Sequence, residues 1–366
     1  MRSKREKLCV SIFLYLGSQE RGRILRNIKR VWSKANNFLP TYSEKHIYIL
    51  FVFCHCMKLS KNQIKMLRLL SEKGYESISA LAKSLKLSPS RTDVLLKDLQ
   101  ELGLVEMKRS GKAVEVHMST NKHAKAFSRS VTLNPHTKFE TILSNQRIRI
   151  IISLLRSPKT KEGISLELNV SVRTIERAIS SLMENGIIIS DKRALKINPQ
   201  HDDLMEFIEE FISYVNIKIA GSEAIIIWEH LDEFIVETKA PLKRPGFLLT
   251  GFRALEDFGV PLILGDSWQY LYSPHKITLQ VEDVCLHIMM INPRSARAIT
   301  YILMAILKNR GIWNWGYMES ESKTYNVEKM TRRLKKFIKT KGRKKPEDFP
   351  SWKEIKEKAK EYDIHG

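Results

Sequence analysis

Two short clusters of serine, threonine and arginine stand 83 positions apart in this 366-residue chain, and both could hydrogen-bond a second molecule. Each begins with a serine suited to cap a helix and continues with arginine two or three positions later. Their members are Ser88, Ser90 and Arg91 in the first cluster, and Ser171, Arg173, Thr174 and Arg177 in the second. Arginine can donate paired hydrogen bonds to guanine or phosphate. The chemistry offered is therefore recognition of an anionic, hydrogen-bonding partner.

The sequence around the two clusters repeats. When Ser88 is aligned with Ser171, the apolar positions coincide, and Gly103 falls on Gly186. A repeat of this kind indicates a duplicated unit. Serine at a helix start and glycine just past its end predict the last of three helices in each copy. The predicted helices are Ser60–Ser71, Ile78–Leu85 and Pro89–Leu102 in the first copy, and Gln146–Leu155, Lys161–Leu168 and a helix capped by Ser171 in the second.

A short hairpin is predicted after each third helix, because alternating apolar residues flank turn-forming residues. The strands are Leu104–Met107 and Ala113–His117 in the first copy, and Ile187–Ile189 and Leu195–Ile197 in the second. Basic side chains gather near the hairpin tips, where they could reach phosphate: Lys108, Arg109 and Lys112 in the first, Lys192 and Arg193 in the second. Lys97 belongs to the outward face of the first copy's third helix.

This order of helices and hairpin, with Leu81-Ala82-Lys83, Leu87-Ser88 and the closing Leu102-Gly103-Leu104-Val105, resembles the winged helix-turn-helix superfamily, in particular prokaryotic MarR- and ArsR-like regulators. The resemblance covers residues 57–200. It implies sequence-specific binding to double-stranded DNA in transcription regulation, with the start of each third helix in the major groove. Winged helices also serve as protein-interaction modules, and this alternative stays open. We expect no enzyme activity, no metal and no cofactor.

The charge of the chain favours an anionic partner. There are 62 Lys and Arg against 40 Asp and Glu, a net charge of +22. Residues 57–130 hold 15 basic and 7 acidic residues, as do residues 323–366, whereas residues 216–322 hold 10 and 12. Four cysteines provide no disulfide framework, and the apolar run Ile47–Cys56 is too short to span a bilayer. We therefore expect a cytoplasmic protein without membrane contact, and the Lys- and Ile-rich, Gln-poor composition favours an archaeal source.

The expected fold class is α+β: two tandem winged helix-turn-helix domains, then a small α+β domain and a basic helical tail. The boundaries are 57–130 and 138–200 for the winged helices, 201–215 for a connecting amphipathic helix, 216–322 for the α+β domain and 323–366 for the tail. Residues 1–56 are either a basic arm or an over-extended N-terminal sequence, since Met57 could begin the protein. The connecting helix either packs on the second winged helix or forms the interface of a homodimer.

Strand and helix patterns alternate in the α+β segment. Strands are predicted at Ala224–Trp228, Phe234–Glu237, Pro261–Leu264 and Trp268–Tyr272, and helices at Phe247–Phe258, Val281–Ile291 and Arg294–Lys308. The stretch Leu249–Leu255 with Gly259, after a winged helix, resembles the C-terminal domain of AbiEi-type antitoxins. That resemblance implies a second interpretation, an antitoxin that binds its own promoter and a partner toxin.

Acidic residues in the same segment allow a third interpretation, a metal-dependent DNA-processing enzyme. Several acidic residues lie on or near one strand, where carboxylates could hold Mg²⁺: Glu229, Asp232, Glu233 and Glu237-Thr238-Lys239. The spacing between Asp232 and Glu237 is short for such a site. Cys285 and His287 lack the paired spacing of a zinc site, so we interpret them as buried. A further group of aromatic residues forms either an effector pocket or part of a core: Trp268, Tyr270, Tyr272, Trp313 and Trp315.

The tail contains a cationic helix. Met330–Lys345 has nine basic residues and no acidic one, and its apolar residues follow one edge. We expect four of the basic side chains to contact DNA phosphates: Arg332, Arg333, Lys335 and Lys336. A solvated helix or contact with an acidic partner is the alternative. A second short helix is predicted at Ser351–Tyr362.

Overall fold

The computed structural model describes residues 59–110, 113–168, 170–191, 194–274, 276–343 and 345–362. The two interpretations of residues 1–56 lie outside this range. All described residues belong to one compact unit of the chain, Ile49–Gly366. Helices dominate and are accompanied by three small antiparallel sheets, which is compatible with the predicted α+β class. Among the residues described, no helix is both long and apolar enough to cross a membrane.

The first repeat, residues 59–118, has three helices and a three-stranded sheet. Ser60 begins the first helix with a capping box, in which its hydroxyl accepts from the Gln63 N–H while the Gln63 side chain accepts from the Ser60 N–H. The sheet order is β1-β3-β2. The elements are α1 Lys61–Lys73, β1 Tyr75–Ser77, α2 Ile78–Leu85, α3 Pro89–Glu101, β2 Val105–Ser110 and β3 Ala113–Met118. The sequence pattern predicted all of these except β1.

The second repeat, residues 144–197, has the same order of elements with a shorter hairpin. Lys159, in the position of β1, makes an isolated bridge to Leu195 instead of a full strand. The second helix is regular up to Leu168. The elements are α6 Gln146–Arg156, α7 Lys161–Leu168, α8 Val172–Glu184, β4 Ile188–Asp191 and β5 Ala194–Ile197, after α4 Lys122–Leu133 and α5 Phe139–Ile142 in the linker between the repeats.

The long helix α9, Asp202–Ala220, follows the second repeat and ends five residues later than the predicted Val215. It packs mainly against α4 of the linker, through Phe207 on Phe127 and Phe211 on His123. The main helix contact is therefore the linker helix and not the second repeat, while the homodimer alternative stays a prediction. The sequence pattern did not assign α4, although its apolar residues recur at helical spacing.

A four-stranded antiparallel sheet comes next, in the order β6-β7-β9-β8. Its strands are β6 Ala224–His230, β7 Glu233–Thr238, β8 Phe247–Thr250 and β9 Trp268–Tyr272. The helix predicted at Phe247–Phe258 is wrong, because its first four residues pair with β9 and the rest is a 3₁₀ helix after Gly251. The strand predicted at Pro261–Leu264 is also wrong, since those residues have no regular structure.

The sheet separates two apolar cores, because alternate side chains on a strand point to opposite faces. Phe234, Val236 and Tyr270 join the core of the two repeats and α9. Ile235, between Phe234 and Val236, and Leu271, next to Tyr270, join a second core with the C-terminal helices. These helices are α10 Val281–Ile291, α11 Ala296–Lys308, α12 Trp315–Glu321, α13 Glu328–Lys339 and α14 Trp352–Lys360.

Candidate nucleic-acid interface

The start of α3 presents the first serine and arginine cluster to solvent. The Ser88 hydroxyl accepts from the Arg91 N–H at 3.3 Å, and Pro89 occupies the first helical position. Ser88, Ser90 and Arg91 are exposed, while the opposite face of α3 is buried in the first core. Within the described residues Arg91 makes no ion pair, so its guanidinium is available to a ligand. The N–H groups of the first helical turn add a weak positive potential there.

Lys97 lies on the same helix but has a partner. Its ammonium is 2.8 Å from the Asp93 carboxylate, one turn earlier. The hydrogen bond to Asp93 and the charge of Asp93 raise the pKa of Lys97. Both side chains are exposed, so the pair is weak and a phosphate could replace the carboxylate.

The start of α8 repeats the arrangement with different side chains. The Ser171 hydroxyl accepts from the Thr174 N–H at 3.4 Å and is 2.9 Å from the Thr174 hydroxyl. Arg173, Thr174 and Arg177 are exposed. Because the Thr174 hydroxyl is engaged by the cap, the two arginines are the stronger candidates for a ligand contact. Neither arginine makes an ion pair with another described residue.

The hairpins that follow these two helices in the sequence also carry basic side chains. Lys108 and Arg109 are exposed on β2, opposite Glu115 and Val114 of β3. The other three basic residues predicted at the hairpin tips, Lys112, Lys192 and Arg193, lie outside the described residues.

Some basic side chains of helix α13 pair with other residues of the protein, and others are exposed to solvent. Arg333 pairs with Asp348 and stacks over the Phe349 ring at 5.2 Å, and Lys335 is 2.7 Å from Glu319. Arg332 and Lys336 are exposed. Two neighbours that the prediction of contacts omitted share their face: Lys329 and Lys339. The spacing 329, 332, 336 and 339 follows one side of a helix and could have identified them.

The carboxylates proposed as metal ligands have other partners. Arg156, at the end of α6, forms ion pairs with buried Asp232 and with Glu233 at 3.1 Å. Burial lowers the pKa of Arg156, but the two carboxylates raise it further, so the guanidinium stays charged. Glu237 accepts from the Gln269 side chain at 3.2 Å. Across the described part of the chain, no three His, Cys, Asp or Glu side chains are grouped to hold a metal.

His287 and Cys285 are both fully buried in α10. The His287 ring bonds to the Thr250 hydroxyl at 2.6 Å and to the Tyr325 hydroxyl at 2.9 Å. Burial lowers the pKa of His287 to about 3 and raises the pKa of the Cys285 thiol. This neutral, hydrogen-bonded histidine ties the sheet to the C-terminal helices.

The aromatic residues predicted to line a pocket or a core are divided between the two cores. Tyr270 and Tyr272 lie in the core of the repeats, and the Leu242 N–H donates to the Tyr270 hydroxyl. Trp313 and Trp315 contact each other against the second core. Arg253 covers the Trp268 ring at 3.9 Å. These five side chains therefore do not form a single pocket.

Comparisons with known proteins give partial matches. A family model described as HVO_A0114 matches residues 58–122, and a second, described as HVO_2833_C, C-terminal, matches residues 244–364. Among curated proteins none matches the chain. The solved structure of a mutant of Lactococcus lactis ZitR is 19% identical, covering 46% of this chain and 98% of that chain, with a TM-score of 0.19. A TM-score this low does not establish a shared fold, and each family model covers less than half of the chain.

Proposed function

We propose that this protein is a transcriptional regulator that binds double-stranded DNA sequence-specifically through two winged helices. The observation that carries the proposal is the pair of exposed serine and arginine clusters at the starts of α3 and α8. Each cluster begins a helix that follows a short helix and a tight turn and precedes a hairpin. Helices in that position enter the major groove in helix-turn-helix proteins.

In the proposed complex, Arg91 and Arg173 donate to base edges, and guanine is the base that arginine reads bidentately. The serine hydroxyls and the first N–H groups of α3 and α8 contact phosphates and fix the orientation of each helix. Lys108 and Arg109 extend the contact along the backbone from the first hairpin. The exposed face of α13 supplies further phosphate contacts through Lys329, Arg332, Lys336 and Lys339.

The charge distribution favours DNA over a protein ligand. Residues 57–130 carry 15 basic and 7 acidic residues, and the exposed arginines of α3 and α8 are not paired with carboxylates of described residues. A surface that binds neutral protein would have apolar side chains at its centre. The exposed large apolar residues of α3 and α8 are Val94, Val172 and, at the far end of α8, Met183. Near the start of each helix there is therefore one exposed valine among polar and charged neighbours.

The test is binding of the full chain to the DNA upstream of its own gene, compared with a scrambled duplex of the same composition, over a salt series. We expect a specific complex that persists at about 200 mM salt and is weakened roughly 5- to 150-fold by Arg91→Ala, the cost of a lost bidentate base contact. Arg310→Ala, an exposed arginine in the loop after α11, is the matched control.

Equal and steeply salt-dependent affinity for both duplexes would contradict sequence-specific recognition, since charge alone behaves in that way. Equal losses for Arg91→Ala and Arg310→Ala would also overturn the role assigned to α3.

A further inference from the structure

The two repeats share individual hydrogen bonds as well as an order of elements. The Leu104 N–H donates to the Leu99 carbonyl at 2.9 Å, and the Ile187 N–H donates to the Leu182 carbonyl at the same distance. Gly103 and Gly186 both have positive φ, of 66° and 71°. A side-chain amide donates to the carbonyl of each glycine at 2.8 Å, from Asn121 in the first repeat and from Asn198 in the second. The repeats are thus two copies of one local structure.

Equivalent elements of the two copies contact each other. The helices α4 and α9 each follow the hairpin of their own repeat, and they pack together along their lengths. Phe127 of α4 meets Phe207 of α9 edge to face, with centroids 5.1 Å apart. Opposite charges line the outer edge of the pair, where Arg129 pairs with Glu206. Contact between the same elements of two copies is the pattern of a two-fold dimer interface.

The starts of the two repeats also meet. Leu59 precedes α1, Ser144 holds the equivalent place before α6, and the two residues form a parallel bridge. The Asn145 N–H donates to the Leu59 carbonyl at 3.0 Å. This is a second contact between matching positions, and it is independent of the helix pair.

The middle of the linker between the repeats, residues 134–137, is bonded to a helix on each repeat's side, α1 and α9. Arg68 of α1 donates to the carbonyls of Pro135 and Thr137, at 2.7 and 3.3 Å. The Asn134 amide donates to Asp203 of α9 at 2.7 Å. A linker with these bonds fixes the spacing and orientation of the two repeats, whereas a flexible one would leave them to move independently.

From these contacts we infer that a single chain is built like a dimer and binds two half-sites of unlike sequence at one fixed spacing. This inference rests on the proposed function. The half-sites differ because the exposed residues differ at matching positions. Ser90 corresponds to Arg173, Arg91 to Thr174, and Val94 to Arg177. A homodimer would read the same half-site twice, while this chain presents a different set of side chains to each.

The experiment begins with duplexes selected by the full chain from a random-sequence pool, followed by hydroxyl-radical footprinting of the selected duplex. We expect two protected tracts separated by about one helical turn, or a multiple of it, and one chain per duplex in analytical ultracentrifugation. Arg91→Ala weakens protection of one tract and Arg173→Ala weakens protection of the other. Arg310→Ala weakens neither.

A spacing series tests the fixed geometry. Inserting about five base pairs between the tracts turns one half-site to the opposite side of the duplex, and we expect affinity to fall more than tenfold. Unchanged affinity, a single tract insensitive to Arg173→Ala, or two chains per duplex would overturn the inference while leaving the proposed function intact. Failure to enrich any sequence would instead contradict the proposed function.

Discussion

At the scale of single residues, the basic side chains of α13 differ in what surrounds them. Arg333 pairs with Asp348 and covers Phe349, so contact with phosphate would require it to leave both. Lys336, three positions later, is exposed. Counting charges in a sequence treats the two side chains alike, because the carboxylate that pairs with Arg333 lies 15 residues away.

This difference predicts separate effects of two substitutions. Lys336→Ala should weaken DNA binding equally for all sequences and reduce the slope of log affinity against log salt by about 1, the value for one phosphate contact. Arg333→Ala should leave that slope unchanged and lower the free energy of unfolding instead, because the Phe349 ring loses its cover. Salt titrations and urea denaturation of both variants check this. A smaller salt slope for Arg333→Ala would contradict it.

Buried His287 predicts the pH dependence of stability. Its pKa in the folded protein is about 3, below the value of about 6.5 for an exposed histidine, so the unfolded chain takes up the proton first. The contribution of neutral His287 to the free energy of unfolding is therefore complete above about pH 6.5 and is lost as the pH falls towards 3. Over that range the free energy of unfolding falls by up to about 1.4 kcal/mol per pH unit.

Urea denaturation between pH 7 and pH 4.5 measures this slope for the wild type and for His287→Gln. The variant is less stable at neutral pH, since glutamine does not reproduce the bonds to Thr250 and Tyr325, and its slope is shallower. His123 and His230, whose pKa values burial also lowers, contribute to both slopes and cancel in the difference. Equal slopes in the two proteins would disprove the assignment.

At the scale of elements, the turn after each third helix has the same backbone conformation in both repeats but different neighbours. Gly103 lies against the Tyr214 ring of α9, and a Cβ built on it would be 2.4 Å from that ring. Gly186 has the same backbone conformation, but its Cβ would meet only His201, at 3.8 Å. The glycine is required for positive φ in both turns, and for close packing in the first alone.

We expect Gly186→Ala to lower the free energy of unfolding by about 1–2 kcal/mol, the strain of a side chain at positive φ. Gly103→Ala should lower it by at least twice as much, because α9 must also move. Denaturant unfolding of the two variants makes the comparison, and each serves as the control for the other. Equal losses would mean that α9 does not pack on this turn.

The elements that could be predicted from the sequence are those whose signals are local. Serine caps placed the starts of α3 and α8, and the closing Gly103 placed the end of α3 within one residue. The strand Phe247–Thr250 was mistaken for helix because its pairing with β9, about 20 residues away, decides its conformation. Contact between α4 and α9 depends on residues 80 positions apart, such as Phe127 and Phe207, and no local pattern indicates it. The candidate clusters themselves stay predictions until binding is measured.

At the scale of the whole molecule, Arg156 connects the second repeat to the sheet. It reaches from the end of α6 to the β6–β7 turn, where Asp232 and Glu233 are buried. Arg156→Met removes the guanidinium that pairs with both carboxylates, and we expect the free energy of unfolding to fall by about 3–5 kcal/mol at neutral pH. Arg149→Met, on the same helix, is the control and should cost less than about 1.5 kcal/mol, since Arg149 is without a carboxylate partner among described residues.

The variant and its control are compared by denaturant unfolding at pH 7. A loss equal to that of Arg149→Met would show that the ion pairs contribute little to the attachment of the second repeat.

The unlike faces of α3 and α8 also have an evolutionary consequence. A homodimeric regulator carries every substitution twice, so a change in base preference alters both half-sites of its operator together. Here the two helices are separate stretches of one coding sequence, and a substitution at Arg91 leaves Arg173 unchanged. Under the proposed two-site recognition, selection can change the base preference of one helix while the other helix still binds its half-site. A new operator can then arise through two separate substitutions.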